Sequence, residues 1–390
     1  MKKYILPSLI LSLGLSFNVF ASAPELRAPY AILMDFDSGK ILYEKNADVA
    51  VPPSSMSKLL TIYKVFELIK DGRYTLDSEF IVGPEAWKKA KAMNANSGST
   101  MFLEYNEKVR LEDLIRGIIV NSGNDATIVI AENISGSEDN FVKELNELAN
   151  KLELKNSTIQ NVSGWYDKNH LMSTRDLAIL SHRIIKDFPE FYHYFGEKEF
   201  LYKHDLTGNK DNRNKLLWIM PSADGLKTGH TTKGGYGLSS SAKQGSRRLI
   251  AIVNGIKGNN PSYARFTDSK ALLEWGFRDF SNFVYYKRGD KVLDIPVWFG
   301  KKNVVSVGVD EKIAITAQNN KTPNVEFRAV FNTPIPAPIA VDTKVGTLTL
   351  YIDGIKTGEY NLITLEEVKK CNFFMRIFKN LKQIILNIVG

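Results

Sequence analysis

The stretch Pro52-Pro53-Ser54-Ser55-Met56-Ser57-Lys58 stands directly before an apolar run, residues 59–70, that has helical spacing and ends at Asp71-Gly72. At the start of a helix, residues three apart share a face, so Ser55 and Lys58 would point into the same space. A serine hydroxyl becomes a nucleophile when a base removes its proton, and a lysine with a lowered pKa can be that base. For this stretch alone, a capping serine beside a solvated lysine is the alternative interpretation.

A second polar element, Ser122-Gly123-Asn124, lies between two segments with helical spacing, residues 111–120 and 126–134. A short polar turn between two helices can project Ser122 and Asn124 into a cleft. Both residue types also commonly cap helices, so this element is ambiguous when taken alone.

A third element, Asp224-Gly225-Leu226-Lys227-Thr228-Gly229-His230-Thr231, has the character of a strand edge. Lys227 could hold a substrate carboxylate and lower the pKa of Lys58. Gly229 leaves room for a ligand backbone, and the backbone N–H of His230 could be an oxyanion donor. The alternative is a strand that runs into a glycine turn.

Strand-like segments at both ends of this region bracket a helical middle. This order predicts an α+β fold in which one antiparallel sheet is flanked by the first and last helices and carries a helical insertion. Beyond residue 280, short β-branched segments separated by turn residues predict a small all-β domain, residues 281–371. The segments that predict the sheet and its last helix are residues 31–44, 225–229, 236–243, 247–255 and 262–275.

Taken together, S-x-x-K, S-x-N and K-T-G in this order form a signature of penicillin-binding proteins and β-lactamases. Over nearly all of its length after residue 23, the chain resembles the low-molecular-mass penicillin-binding proteins of the D-alanyl-D-alanine carboxypeptidase type. The resemblance implies a β-lactamase/transpeptidase-like catalytic domain at residues 24–280. The chain departs from the family at Ser57, where threonine is more usual, and at Gly164-Trp165-Tyr166, where the family usually has Gly-Leu-Asp.

The resemblance also implies a role for each motif residue. Ser55 would be acylated and Lys58 would be its base. The residues implied to complete the proton network or to bind the substrate are Ser122, Asn124, Lys227, Thr228, Gly229, His230, Thr231, Arg213 and Arg265.

The implied reaction removes the terminal D-alanine of a peptidoglycan pentapeptide in two steps, acylation of Ser55 and hydrolysis of the ester by a water that Lys58 and Ser122 activate. β-Lactams would mimic the dipeptide and leave a long-lived ester on the serine. The reaction needs no metal or other cofactor, and the five histidines show no metal-ligand spacing.

The first residues predict export. Lys2 and Lys3 precede an apolar stretch, and Ala21-Ser22-Ala23 has the pattern of a signal-peptidase site, so residues 1–23 are interpreted as a signal peptide. An uncleaved anchor is the alternative. The net charge of +8 in an exported chain favours anionic lipid or wall polymers over nucleic acid as partners. The single cysteine, Cys371, excludes an internal disulfide.

The last residues, 372–390, predict a second contact with the membrane. Apolar residues recur at helical spacing on one face, lysines and polar residues fall elsewhere, and no acidic residue follows Glu367. This segment is too polar to span a bilayer and fits a helix that lies on an anionic membrane, here the periplasmic face of the cytoplasmic membrane. A helix docked on its own protein is the alternative.

Three other functions use the same motifs. A class A β-lactamase would need an added glutamate for deacylation, and no convincing Glu-x-x-x-Asn element lies between Ser122 and Lys227. A D,D-endopeptidase or a penicillin-binding scaffold without hydrolysis remains open, and turnover of a D-Ala-D-Ala peptide would separate the scaffold from the carboxypeptidase.

Overall fold

The computed structural model describes residues 2–5, 22–95, 98–203, 210–319 and 321–372. The chain divides into two compact units, one of Ala21–Asp279 and one of Met1–Phe20 with Phe280–Gly390. The short strand β1 (Lys2–Ile5) belongs to the second unit. Most of the predicted signal peptide and of the predicted amphipathic helix lies outside the described residues.

The larger unit is built on a five-stranded antiparallel sheet with the order β3-β2-β8-β7-β6. The hairpin expected at residues 31–44 is confirmed by the pairing of β2 with β3. A two-stranded sheet, β4 with β5, lies apart from it. The strands are β2 (Tyr30–Asp35), β3 (Ile41–Lys45), β4 (Glu79–Ile81), β5 (Lys108–Arg110), β6 (Ala223–Thr231), β7 (Gly235–Gln244) and β8 (Arg247–Ile256).

Helices cover the sheet and fill the insertion between β3 and β6. The central strand β8 packs against both α6 and α8, so its apolar run is buried along most of its length. One apolar core joins the insertion to the sheet: the buried faces of α1, α3, α4, α5 and α6 contribute to it, and so do Ile32, Ile250 and Ile252 of the sheet. The helices are α1 (Lys58–Lys70), α2 (Pro84–Ala95), α3 (Leu111–Arg116), α4 (Asn124–Ser135), α5 (Glu138–Lys151), α6 (Thr174–Asp187), α7 (Leu216–Ile219) and α8 (Pro261–Asp279).

Two local features differ from the sequence-based prediction. The segment expected to be one helix, residues 111–120, is α3 followed by a wider π-helical turn, Gly117–Asn121. The extra residue per turn delivers Ser122 in a left-handed conformation with φ 62°. Helix α2 was not predicted because its sequence is rich in alanine and lysine and lacks a clear apolar stripe.

The smaller unit is all-β, as predicted. Seven strands form one sheet with the order β1-β13-β15-β16-β11-β10-β14, and β9 pairs with β12. Alternate residues of β13, namely Phe327, Ala329 and Phe331, are buried, as the period of two in a strand requires. The strands are β9 (Phe280–Tyr286), β10 (Lys291–Trp298), β11 (Val304–Val309), β12 (Ile313–Gln318), β13 (Val325–Phe331), β14 (Ile335–Pro336), β15 (Lys344–Ile352) and β16 (Ile355–Thr364).

Membrane spans and metal sites were sought in the described ranges. There, no helix combines the length and the apolarity needed to cross a bilayer. In the same ranges, no three His, Cys, Asp or Glu side chains lie together as metal ligands.

Candidate active site

The nucleophile candidate lies in a tight turn at the start of the first helix. Residues Ser54–Ser57 form a 3-10 turn that runs directly into α1, and Ser55 is half-buried while its neighbours on both sides are buried. The turn is closed by a hydrogen bond from Met56 N to Pro53 O (3.3 Å) and another from Ser57 Oγ to Ser54 O (3.1 Å). The predicted i, i+3 geometry is confirmed, because Lys58 Nζ lies 2.8 Å from Ser55 Oγ.

Lys58 is completely buried and has two further polar neighbours. Its Nζ lies 2.7 Å from Asn124 Oδ1 and 2.6 Å from the carbonyl oxygen of Ser163. Both of these oxygens can only accept hydrogen bonds. A neutral amine has two N–H donors and one lone pair, so it can donate to both oxygens and accept the Ser55 hydroxyl. The site therefore fits the unprotonated lysine that a general base requires.

Electrostatics favour the same protonation state. Burial, and after it the positive charge of Arg213, lower the pKa of Lys58, Asp125 opposes them, and the net result is a pKa of about 7. The leading causes differ from the sequence-based expectation, which gave this role to Lys227.

Ser122 and Asn124 are brought to the same place by the π-helical turn and the start of α4. Ser122 is buried, and its Oγ lies 2.9 Å from Lys227 Nζ. The polar neighbours of Lys58 Nζ are Ser55, Asn124 and Ser163, and the joint activation of a water by Lys58 and Ser122 stays a prediction.

Asp125, in the first turn of α4, holds the segment of Ser122 and Asn124 in place. Its carboxylate accepts hydrogen bonds from Thr100 Oγ1 (2.5 Å), Met101 N (2.9 Å) and Leu103 N (3.2 Å). Charge-assisted bonds of this kind tie the start of α4 to the segment that precedes β5. The sequence analysis did not single out this residue, although an aspartate in the first turn of a helix is a recognisable signal.

Lys227 projects from β6, one of the two edge strands of the sheet, and is buried. Its pKa is lowered well below the ordinary value by burial first, then by the positive charges of Lys58, Arg213 and Arg265. Its contact with Ser122 places a second buried amine at the site.

A cleft of about 670 Å³ opens above these groups. Lys58 and Lys227 lie behind its wall, whereas the other predicted residues line it. Arg265 is buried, donates to the carbonyl oxygen of Gly229 (3.3 Å), and lies over the ring of Tyr236. The lining residues that the sequence analysis predicted are Ser55, Ser122, Asn124, Arg213, Thr228, Gly229, His230, Thr231 and Arg265.

Two glycines allow the walls of the cleft to lie close to the turn that carries Ser55. A Cβ on Gly229 would lie 2.7 Å from Pro53 O. Gly164 has φ +74°, and a Cβ there would collide with Ser54 O. The segment of Ser163 and Gly164 forms another wall of the cleft. In the sequence, this region was noted only because Gly164-Trp165-Tyr166 departs from the family's usual Gly-Leu-Asp. Its main contact with Lys58 is a backbone carbonyl, which leaves no residue-type signal.

Comparison with known proteins adds family membership to this geometry. The family profile described as D-alanyl-D-alanine carboxypeptidase, peptidase S11, matches residues 18–258. The profile described as the C-terminal domain of penicillin-binding protein 5 matches residues 280–370.

Individual relatives match over most of their length. The D-alanyl-D-alanine carboxypeptidase DacA of Escherichia coli K12 is 36% identical over 368 residues, which are 94% of this chain and 89% of the relative. The crystal structure of penicillin-binding protein 5 from Haemophilus influenzae is similar with a TM-score of 0.76 and 35% identity, covering 90% of this chain and 100% of that one. An ampicillin-bound penicillin-binding protein D2 from Listeria monocytogenes is similar with a TM-score of 0.55 and 27% identity, covering 66% of this chain and 100% of that one.

Proposed function

Because the chain belongs to peptidase family S11, the D-alanyl-D-alanine carboxypeptidases, we propose that it removes the terminal D-alanine of peptidoglycan pentapeptides through an acyl-enzyme on Ser55. The observation that carries the proposal is the buried Lys58 amine, held by two acceptor oxygens and 2.8 Å from the Ser55 hydroxyl. This arrangement leaves the lysine lone pair directed at the one proton that must be removed.

The first step forms the ester. Neutral Lys58 takes the proton of Ser55, whose oxygen attacks the carbonyl carbon between the two D-alanines. The N–H groups at the start of the helix, and that of His230 on β6, are the candidate donors to the oxyanion. The C–N bond then breaks, and the departing amine takes the proton held by Lys58, so free D-alanine leaves and the lysine is neutral again.

The second step hydrolyses the ester and regenerates the free enzyme. Lys58 removes a proton from a water molecule that attacks the ester, and Ser55 regains its proton as the shortened peptide leaves. Ser122, which contacts Lys227, stands beside this path and can relay protons. The carboxylate of the terminal D-alanine would be bound by Thr228, Thr231 and the two arginines, Arg213 and Arg265, which line the same cleft.

The direct test uses a diacyl-Lys-D-Ala-D-Ala peptide and the full chain in detergent, beside a Ser55→Ala variant. Release of free D-alanine by the parent and none by the variant is the expected result. Penicillin labelling of the parent without release of D-alanine would instead favour the D,D-endopeptidase or the scaffold. The Listeria relative is known in an ampicillin-bound form, which supports the proposal that this chain also binds β-lactams.

We also propose that the chain is exported, with residues 1–23 removed, that residues 24–280 and 281–371 form its two domains, and that residues 372–390 hold it on the periplasmic face of the cytoplasmic membrane. The basic, amphipathic sequence of the last segment supports this location. Flotation with vesicles of anionic phospholipid should carry the full chain but not a chain that ends at Cys371. Equal flotation of both would place the membrane contact elsewhere.

A further inference from the structure

The loop that leads to Ser163 is held almost entirely by side chains. Each backbone N–H of residues 159–163 donates to a side-chain acceptor rather than to a strand or helix partner. The acceptors, in order, are Asn146 Oδ1, His170 Nδ1, His170 Nδ1 again, Glu138 Oε1 and Asn161 Oδ1. Such a loop keeps its shape only while these side chains can accept.

His170 takes two of these N–H groups. Its Nδ1 accepts from Gln160 N at 3.1 Å and from Asn161 N at 3.4 Å. The residue is 2% exposed. The next two residues along the chain, Leu171 and Met172, form backbone bridges to Thr158 and Val51, so the ring is carried by a fixed stretch of backbone.

This geometry specifies the chemical form of the ring. An Nδ1 that accepts must be unprotonated, which makes the ring the neutral Nε2–H tautomer. Nε2 has no hydrogen-bond partner among the described residues. Burial lowers the pKa of His170, Asp167 opposes this and the charge of Lys58 adds to it, so that the pKa is about 4. Glu138 is the other acidic group bonded to this loop.

The loop ends at the catalytic base. The side chain of Asn161 accepts from Ser163 N (3.2 Å) and Trp165 N (3.0 Å), which closes the turn around Gly164. The carbonyl of Ser163 then lies 2.6 Å from Lys58 Nζ. A continuous set of hydrogen bonds therefore connects His170 to the amine of Lys58 through the backbone of Asn161 and Ser163.

We propose that His170 is a positioning residue for the reaction. Its Nδ1 fixes the backbone of Gln160 and Asn161, and through the Ser163 carbonyl it sets the direction of the Lys58 lone pair toward Ser55. His170 contacts neither the cleft nor Ser55, so its effect on the rate is transmitted through Lys58. The inference rests on the proposed role of Lys58 as the base.

The test compares three variants of the full chain for acylation by a fluorescent penicillin between pH 5.5 and 9. His170→Leu removes the acceptor and should slow acylation by about tenfold to a hundredfold, the size that misplacement of a reacting group by about 1 Å produces. His170→Gln offers a side-chain oxygen as acceptor and should recover most of the rate. His182→Leu is the matched control, since that imidazole hydrogen bonds to Phe36 O away from the cleft.

The pH profile separates positioning from loss of folded protein. Loss of folded enzyme lowers the rate equally at every pH, whereas a displaced Ser163 carbonyl moves the midpoint of the acid limb that Lys58 sets. The inference is overturned if His170→Leu keeps the rate and midpoint of the wild type, or if His170→Gln is as slow as His170→Leu.

A measurement on the unmodified protein covers the case in which His170→Leu does not fold. Nitrogen NMR of selectively labelled histidine should show His170 with an unprotonated Nδ1 at pH 7, and a proton on Nδ1 would overturn the inference. Failure of the wild type to be acylated at Ser55 would overturn the proposed function instead, so the two failures are distinguishable.

Discussion

The two units of the chain treat buried polar groups in opposite ways. In the unit of Ala21–Asp279, two lysines and several aspartates are buried, and the lysines meet at the cleft. In the described part of the other unit, the buried polar residues are three threonines, Thr316, Thr349 and Thr364, and no charged side chain is buried. Burying a charge is costly, and two buried lysines at one cleft are the kind of arrangement that shifts pKa values for chemistry.

The largest expected effect comes from removing Lys58, the proposed base. Lys58→Met should lower the acylation rate by about a hundredfold to ten-thousandfold, the range that general base catalysis contributes. The free energy of unfolding near neutral pH should change little. The variant loses the hydrogen bonds of Lys58, but it also removes an amine that is costly to protonate in the folded state, where its pKa has fallen from 10.5 to about 7. Penicillin labelling gives the first quantity and thermal unfolding the second. A stable variant that acylates at the normal rate would contradict the assignment.

The effect of Lys58→Met on the free energy of unfolding depends on pH. The folded state disfavours the proton on Lys58, so this cost is complete below pH 7 and disappears as the pH rises toward 10.5. Lys58→Met should therefore gain stability relative to the wild type at pH 6 and lose that advantage at pH 10.

In the all-β unit, a substitution is expected to change stability and leave the acylation rate unaffected. Leu348→Ala, at a completely buried position of β15, should lower the free energy of unfolding of this unit by about 2–5 kcal/mol. The acylation rate of the folded protein should remain that of the wild type. Denaturant unfolding and penicillin labelling at one temperature test both statements, and a slowed acylation in folded protein would show that the two units are coupled.

A smaller effect on the acylation rate of the wild type is expected from a change of pH. Because Lys58 must be neutral to accept the proton of Ser55, acylation should rise by about tenfold per pH unit at low pH and level off near pH 7, where the pKa of Lys58 lies. Rate constants for penicillin acylation across the pH range test this. A flat profile between pH 5 and 8 would exclude Lys58 as the titrating base.

The smallest effect should come from Arg213→Ala. The positive charge of Arg213 lowers the pKa of Lys58, so its removal should move the acid limb to higher pH. The shift should be well below one pH unit, since the two side chains act through a partly solvated cleft. The same penicillin assay measures it, with Arg175→Ala as the control because Arg175 pairs with Asp48 and Glu44 instead.

The sequence predicted the parts of the site that depend on side-chain type. Ser55, Lys58, Ser122 and Asn124 were identifiable because only a few residue types can serve as nucleophile, base or proton relay, and their spacing fits a helix start and a helix–helix turn. The same reasoning predicted the antiparallel sheet from the strand segments at both ends of the catalytic region.

The remainder depends on contacts that residue types do not encode. The Ser163 carbonyl reaches Lys58 through its backbone, and any residue could supply it. The π-helical turn before Ser122 leaves no periodic signal, because it differs from an α-helix by one residue. The sequence analysis assigned His170 no role, because the two N–H groups that donate to its Nδ1 come from a loop with no regular pattern.

The crowded glycines of the cleft also limit how the protein could evolve resistance to antibiotics. A side chain at Gly164 or Gly229 would collide with the backbone beside Ser55, the proposed nucleophile, so we expect substitutions there to exclude a β-lactam only by disabling the enzyme. The exposed rim residues Trp165 and Tyr166 carry no such restriction. Under selection with a β-lactam, surviving substitutions in the cleft should therefore accumulate on the rim and leave both glycines unchanged.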